Sequence, residues 1–389
     1  MTLHADFASS AADRIRAAAA AGTRLRIRGG GSKDFYGQTL VGDILDTTAL
    51  NGVISYEPSE LVVTALAGTP LAELEALLLS QGQCFAFEPP HLSPGATVGG
   101  MVAAGLSGPA RASAGAVRDY MLGVKLINGK GEHLTFGGQV MKNVAGYDVS
   151  RLMVGAMGTL GLLTEVSLKV LPIAPLEATL KFEMTQAVAL NKLNTWGGQP
   201  LPLNASCWVN EELDVAGNDA ANNASKDAAK DAGVGTLYLR LRGAVAAVEA
   251  ACAKLGGERL APAQASADWQ RCRDQQLQWF TARTDSQDLW RLSVPQTAPV
   301  LDLPDSPLIE WHGGQRWVRA DAAHGQRLRE LATSVGGHAT LFIATSARKS
   351  SAIAVFDTLK PPLAQIHREL KREFDPAGVL NANRLYAAW

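Results

Sequence analysis

An alternating strand runs straight into three consecutive glycines between Arg24 and Ser32, and this junction constrains the fold more than any other feature of the chain. Leu25 and Ile27 point one way and Arg24, Arg26 and Arg28 the other, the period of two that suits a half-buried strand. Gly29, Gly30 and Gly31 then remove every side chain where the chain turns. Consecutive glycines cost backbone entropy, so a fold keeps them where φ must be positive or where something lies close against the backbone. Their bare N–H groups, followed by the Ser32 hydroxyl, can form a nest for a phosphate, and a plain tight turn accounts for them as well. Two familiar phosphate loops do not apply. G-x-G-x-x-G needs glycine where Asp34 stands, and neither Gly31-Ser32-Lys33 nor Gly129-Lys130-Gly131 supplies G-K-[ST].

Two further glycine-rich stretches follow. Residues 94–108 read PGATVGGMVAAGLSG, where almost every side chain is tiny. Such density lets backbone lie flat against a planar or anionic ligand, or lets a helix pack closely in a tight core. Residues 154–172 read VGAMGTLGLLTEVSLKVLP, with Leu162, Thr164, Val166, Leu168 and Val170 alternating onto one strand face. Between these stretches Asn128-Gly129 joins two strand-like runs as a hairpin. Asp148 can cap a short helix ending near Gly155.

At 389 residues and a net charge of −1, the chain can bury two or three domains and carries no global field for nucleic acid. The four cysteines form no C-x-x-C pair, which argues against zinc, an iron–sulfur cluster or a redox disulfide and fits a reducing cytoplasm. The first residues lack the basic flank and long apolar run of a signal sequence, and no stretch suits a membrane span. An alanine-rich helix is expected over 5–21. Strands are expected at 42–47, 53–56 and 61–65, then a helix with Thr69 as N-cap and Pro70 at N1. Beyond Pro175 the pattern reads β-α-β-β-α-β, interrupted at 211–235 by an Asn/Asp/Ala/Lys-rich surface excursion, and a second layer of similar type follows. The chain ends in a charged helix broken at Asp375-Pro376.

The three stations in this order resemble the FAD-binding domain of the vanillyl-alcohol oxidase/PCMH-type family, and the tail FDPAGVLN resembles its FAD-linked oxidase branch. More narrowly, RGGGSKDFYG, AGTPLAELEALL, FEPPHLSPGATVGGMVAAGLSGPAR, GAVRDYMLGVKLINGKGE and GGQVMKNVAGYDVSRLMVGAMGTLG resemble the FAD-binding E subunits of bacterial glycolate oxidase. The resemblance implies an α+β fold. A PCMH-type FAD-binding domain would span 1–175 and a ferredoxin-like α+β cap 176–365. Residues 366–389 would return to the first domain. It further implies that Gly29, Gly30, Gly31 and Ser32 wrap the FAD pyrophosphate, with Arg28 either adding charge or facing solvent. Pro94, Gly95, Ala96, Thr97, Val98 and Gly99 would pass alongside. Ser107, Gly108, Gly161, Leu163 and Asn381 would complete the wall. Covalent attachment in this superfamily uses His, or His with Cys. The first loop has neither, so FAD is expected to be noncovalent, with His91 beside the second station as the one residue that leaves attachment open.

Oxidising a 2-hydroxy acid needs a base for the hydroxyl proton and cations for the carboxylate. Related D-2-hydroxy acid dehydrogenases carry H-x-x-G-D-G-N-x-H, and this chain does not; His312-Gly313-Gly314 is its nearest approach. His91 and His312 are candidate bases, although an ordinary turn accounts more readily for His91, and packing or a strand hydrogen bond for His312. Lys142 and Arg384 can place positive charge near a flavin or simply be solvated. Tyr147 and Asp148 match the family's GYD. The resemblance therefore implies a subunit that works beside an FAD-containing D-type and an iron–sulfur F-type partner, with any membrane contact made through them. A self-sufficient D-2-hydroxy acid dehydrogenase, a scaffold with a lapsed flavin site and a binding module without redox work are the competing expectations.

Overall fold

The computed structural model describes residues 2–138, 148–210, 233–345 and 354–386. Lys142 and Tyr147, and nearly all of the excursion expected at 211–235, lie outside them. The chain packs as two units, one formed by Met1–Ser107, Ala116–Ile173 and Ala354–Trp389, the other by Gly108–Gly115 and Ala174–Ile353.

In the first unit the expected strand forms over Leu25–Arg28 and pairs in parallel with Asp43–Asp46. A five-stranded antiparallel sheet lies in the order Val53–Glu57, Val62–Leu66, Leu162–Lys169, Met121–Ile127, His133–Gly137. The hairpin between its last two strands closes as Asn128-Gly129 predicts. Asn128 Oδ1 accepts the N–H groups of Lys130 and Glu132, both at 3.0 Å. Alternation over 162–170 implies one buried face, yet Leu163 and Ser167 are buried as well as Leu162 and Val166. Both faces of this sheet are covered. In one core Leu71, Leu74 and Leu78 of helix Leu71–Ser80 pack with Val98, Met101 and Val102 of helix Val98–Ala104. In another, Ala11, Ala12, Ile15 and Ala18 of helix Thr2–Ala21 pack with Leu162, Val379 and Leu380. Alanine suits that helix because small side chains let it approach the sheet while keeping high helix propensity.

Thr69 does not cap the helix that follows it. Pro70 occupies the N-cap position, and Thr69 Oγ1 instead accepts the Gly52 N–H at 3.0 Å and donates to Gly52 O at 3.1 Å. Asp148 does not hold the N-cap of the 3₁₀ turn Ser150–Met153, where Val149 stands; from one residue further back it accepts from Ser150 Oγ at 2.7 Å and the Arg151 N–H at 3.4 Å.

The β-α-β-β-α-β pattern appears in the second unit as strand Leu176–Thr185, helix Gln186–Gly197, strands Leu203–Val209 and Val234–Gly243, helix Val245–Leu255 and strand Glu258–Arg259. The strands after it do not make a separate layer. Leu308–Glu310 pairs with Leu203–Val209, placing Cys207 opposite Glu310, and the whole unit becomes one eight-stranded antiparallel sheet. Both halves present apolar residues to the same side chains at that seam, where Ile309 joins the core around Leu237 and Leu239. Among the described residues no helix is long and apolar enough to cross a membrane.

Candidate functional site

The first unit contains an open cleft where the glycine-rich stretches meet. Its geometry explains the triplet in a way composition alone does not. A Cβ on Gly30 would stand 1.5 Å from Gly95 O, and one on Gly29 would stand 2.5 Å from Thr97 Oγ1. What lies against the first two glycines is therefore the second station itself, the Thr97 side chain against Gly29 and the Gly95 backbone against Gly30. Gly31 differs: its φ is +75°, and the Arg28 guanidinium folds over it.

Among the described residues the N–H groups of Gly29, Gly30, Gly31 and Ser32 donate to no acceptor. Unpaired amides in sequence form an anion-binding concavity. The charge around them is mostly positive. Arg28 Nε donates to Asp34 Oδ2 at 2.7 Å, so this guanidinium is partly neutralised. Lys33, only 9% exposed, lines the cleft and donates to Ser32 Oγ at 3.1 Å.

The C-terminal tail fixes this loop. Arg384 donates to the carbonyls of Lys33 and Asp34, both at 3.1 Å, and to Gln38 O. Burial pushes its pKa down to about 10, which leaves it charged at neutral pH. Asn381 accepts the Ile27 N–H at 2.7 Å and donates to Met157 O at 2.6 Å, joining the first and third stations. Gly158 beside it, at φ +73°, has no room for a Cβ, which would stand 2.6 Å from Asn381 Nδ2. Beneath both, buried Lys371 donates to Asp375 Oδ2 at 2.6 Å, Thr159 O at 2.7 Å and Leu380 O at 2.9 Å. Burial lowers the Lys371 pKa, and Asp375 partly restores it.

Of the residues expected at the cofactor, Arg28, Gly29, Gly30, Gly31, Ser32, Thr97, Gly99, Gly161, Leu163 and Asn381 line the cleft. Pro94, Gly95, Ala96 and Val98 do not. Gly95 backs Gly30, while Ala96 and Val98 are core residues whose backbones bond Leu71 N and Thr69 O. Thr97 caps the helix Val98–Ala104, accepting Gly100 N–H at 3.2 Å. Ser107 Oγ accepts from Val117 N, and Gly108 belongs to the second unit, where its carbonyl accepts from Trp311 Nε1. Sequence reasoning missed Lys33, Ala103 and Ala104, which line the cleft too. The signal for Lys33 was its place directly after GGGS, set aside with the Walker pattern.

The two histidines are committed elsewhere. His91 Nε2 pairs with Glu75 Oε2 at 2.6 Å, outside the cleft lining. In the second unit, His312 Nδ1 meets Ser206 Oγ at 3.1 Å and Nε2 meets Ser113 Oγ at 2.9 Å. Burial depresses its pKa to about 4, so it is neutral at physiological pH. No histidine or cysteine lines the cleft among the described residues, and none of these residues form a group suited to a metal.

The donor set fits a dinucleotide diphosphate: four unpaired amides and a buried lysine, beside a wall of Gly99, Gly100, Ala103 and Ala104 with no bulk to obstruct a flat ring system. The comparisons agree. A family model described as an FAD binding domain matches residues 5–137. The glycolate oxidase subunit GlcE of Escherichia coli (strain K12) is 41% identical over 387 residues, which is 100% of this chain and 99% of that protein. The D-lactate dehydrogenase of Anaerostipes hadrus is 35% identical over 131 residues, 34% of this chain and 27% of that protein. The crystal structure of p-cresol methylhydroxylase with substrate bound superposes with a TM-score of 0.67 at 14% identity, covering 95% of this chain and 85% of that chain, a likeness of fold. The chain belongs to the FAD-linked family of the glycolate oxidase subunit GlcE.

Proposed function

We propose that this chain is the FAD-carrying E-type subunit of a multi-subunit glycolate oxidase, supporting the oxidation of the 2-hydroxy acid glycolate to glyoxylate. One arrangement carries the reading: four consecutive amides without an acceptor among the described residues, on residues lining a cleft that Lys33 also lines. The alignment of the chain over its full length with GlcE of Escherichia coli, a glycolate oxidase subunit, supplies the substrate class. FAD supplies a two-electron acceptor when bound.

This chain's own residues hold and orient that group. Gly29 to Ser32 offer hydrogen bonds to a diphosphate, and Lys33 and Arg28 offset its charge. Arg384 and Asn381 keep the loop in register with the Gly158 turn. With neither His nor Cys lining the cleft among the described residues, the hold is noncovalent. Among the described residues no histidine stands at the cleft, the one carboxylate lining it, Asp34, is engaged by Arg28, and both His312 ring nitrogens are taken up by serines. Abstraction of the glycolate hydroxyl proton is thus assigned to a partner, an FAD-containing D-type subunit. An iron–sulfur F-type subunit would carry electrons onward, since this chain has no cluster cysteines, and these partners would make any membrane contact from the cytoplasmic side.

The test is an absorbance spectrum of the isolated chain, then glycolate-dependent dye reduction with and without the co-expressed partners. A yellow, inactive chain that becomes active in the complex supports the proposal. Protein that stays colourless in excess FAD and gains no thermal protection refutes it. The partial match to a D-lactate dehydrogenase favours a second reading, in which the chain alone reduces the dye with glycolate or D-lactate.

A further inference from the structure

The second unit holds a dithiol that the flavin reading does not use. Cys207 lies on strand Leu203–Val209, directly opposite Glu310 in the ladder, and Cys272 lies in the last turn of helix Pro262–Arg273. Cys207 and Cys272 are each 4% exposed and Glu310 is 3% exposed. The Cys272 thiol lies beside Cys207 and donates to Glu310 Oε1 at 3.3 Å. The other carboxylate oxygen is anchored by Trp317 Nε1 at 2.6 Å and Gln315 Nε2 at 3.0 Å. Cys207 and Cys272 both line a cavity of about 220 Å³ whose wall includes Trp269, Trp279, Leu277 and Leu308.

Packing alone does not call for this arrangement. Burying a carboxylate costs several kcal/mol on the order of its desolvation, and an apolar side chain would fill the same space without that cost. What Glu310 adds is a fixed acceptor for the proton of a thiol that already lies beside a second thiol. The trio does not form a metal site: no group of three or more such side chains among the described residues is arranged to hold one.

We propose that Cys207 and Cys272 are a redox-active pair which a hydroperoxide entering this cavity oxidises to a disulfide, with Glu310 as the proton acceptor for Cys272. Cys272 Sγ attacks one oxygen of the hydroperoxide. An S–O bond forms, the O–O bond breaks, and the thiol proton passes to Glu310. The departing oxygen takes that proton and leaves as alcohol or water, so Cys272 is a sulfenic acid and Glu310 is again a carboxylate. Cys207 Sγ then attacks Cys272 Sγ. The S–S bond forms, the S–O bond breaks, and the hydroxyl leaves with the Cys207 proton as water. Two thiols lose two electrons, and one hydroperoxide gains them. The neighbouring Cys207 thiol, burial and the Glu310 carboxylate all hold the Cys272 thiol well above its ordinary range, so its proton departs only as the S–O bond forms. That is why a fixed acceptor matters here.

The experiment treats the folded full-length protein with hydrogen peroxide or tert-butyl hydroperoxide, alkylates the remaining thiols and maps peptides without reduction. The expected result with either oxidant is a linked pair joining Cys207 and Cys272. Two of the four free cysteines are then lost, and dithiothreitol restores them. Cys207→Ser and Cys272→Ser should each abolish the link, and Glu310→Gln should slow its formation at least tenfold. Oxidation confined to Cys84 or Cys252, or a 207–272 link that appears only in urea, overturns the proposal. An unchanged rate in Glu310→Gln overturns the part assigned to Glu310.

Discussion

Lys371→Met is the sharpest perturbation of the cleft, because it changes nothing that lines it. Lys371 Nζ bonds three oxygens from three segments: Asp375 Oδ2, Thr159 O and Leu380 O. Asp375 has no exposed side-chain surface and also accepts the N–H groups of Val379 at 3.2 Å and Leu380 at 2.8 Å. Methionine fills similar volume but leaves that carboxylate buried without its cation, a loss of about 3–5 kcal/mol for a broken buried pair. In a unit of this size each kcal/mol moves the melting temperature by about 2–4 °C, so the midpoint should fall by roughly 6–20 °C. Thr159 follows Gly158 and Leu380 precedes Asn381, both at the cleft, so FAD affinity should fall with stability. Adding Asp375→Asn removes the stranded charge and should recover part of the midpoint. The assay is thermal unfolding with and without saturating FAD, followed by fluorescence titration of the flavin. A shift below about 3 °C in Lys371→Met would show that the pair does not pin the tail. Equal losses in the single and double variants would show that the stranded charge is not the cause.

Three further outcomes follow from the same geometry. Gly30→Ala places a methyl where Gly95 O stands 1.5 Å away, so the two stations must part; about 1–3 kcal/mol of stability and measurable FAD binding should be lost together, by calorimetry on one sample. Lys33→Met removes one charge-assisted contact of about 1.5–3 kcal/mol, which should weaken FAD roughly 10- to 100-fold in a titration while the melting point of the apoprotein moves far less. His312 binds its proton more weakly folded, at about 4, than unfolded, at 6.5, so its stabilisation is whole above pH 6.5 and drains as pH falls toward 4, by about 3 kcal/mol at most. His312→Asn suits the left-handed φ of 56° and should flatten that part of the stability–pH curve; an unchanged slope would place the titration elsewhere.

The elements that could be read from sequence are those whose cause is local. Asn128 closes its hairpin through its own side chain, and the helix Leu71–Ser80 buries Leu71, Leu74 and Leu78 as their spacing requires. Misreadings arose where a residue's partner is distant in the chain. Thr69 looked like an N-cap because Pro70 follows it, but its hydroxyl is taken by Gly52, on a loop that sequence alone does not bring near. The strands after residue 288 looked like a second layer because nothing local reveals that Cys207 faces Glu310. At the cleft the same distinction separates the glycines from the residues that set them. GGG was visible as a place where side chains are forbidden, yet what forbids them is Gly95 and Thr97, some sixty residues on in the sequence. This reverses the usual inference from a glycine run to a ligand pressing on it. Two of the three glycines are required by protein against protein, while the loop's amides keep no acceptor among the described residues. The anion site we propose is then a consequence of packing between stations. On that account, substitutions in the second station that never touch FAD, such as at Gly95, should weaken its binding as severely as those in the first.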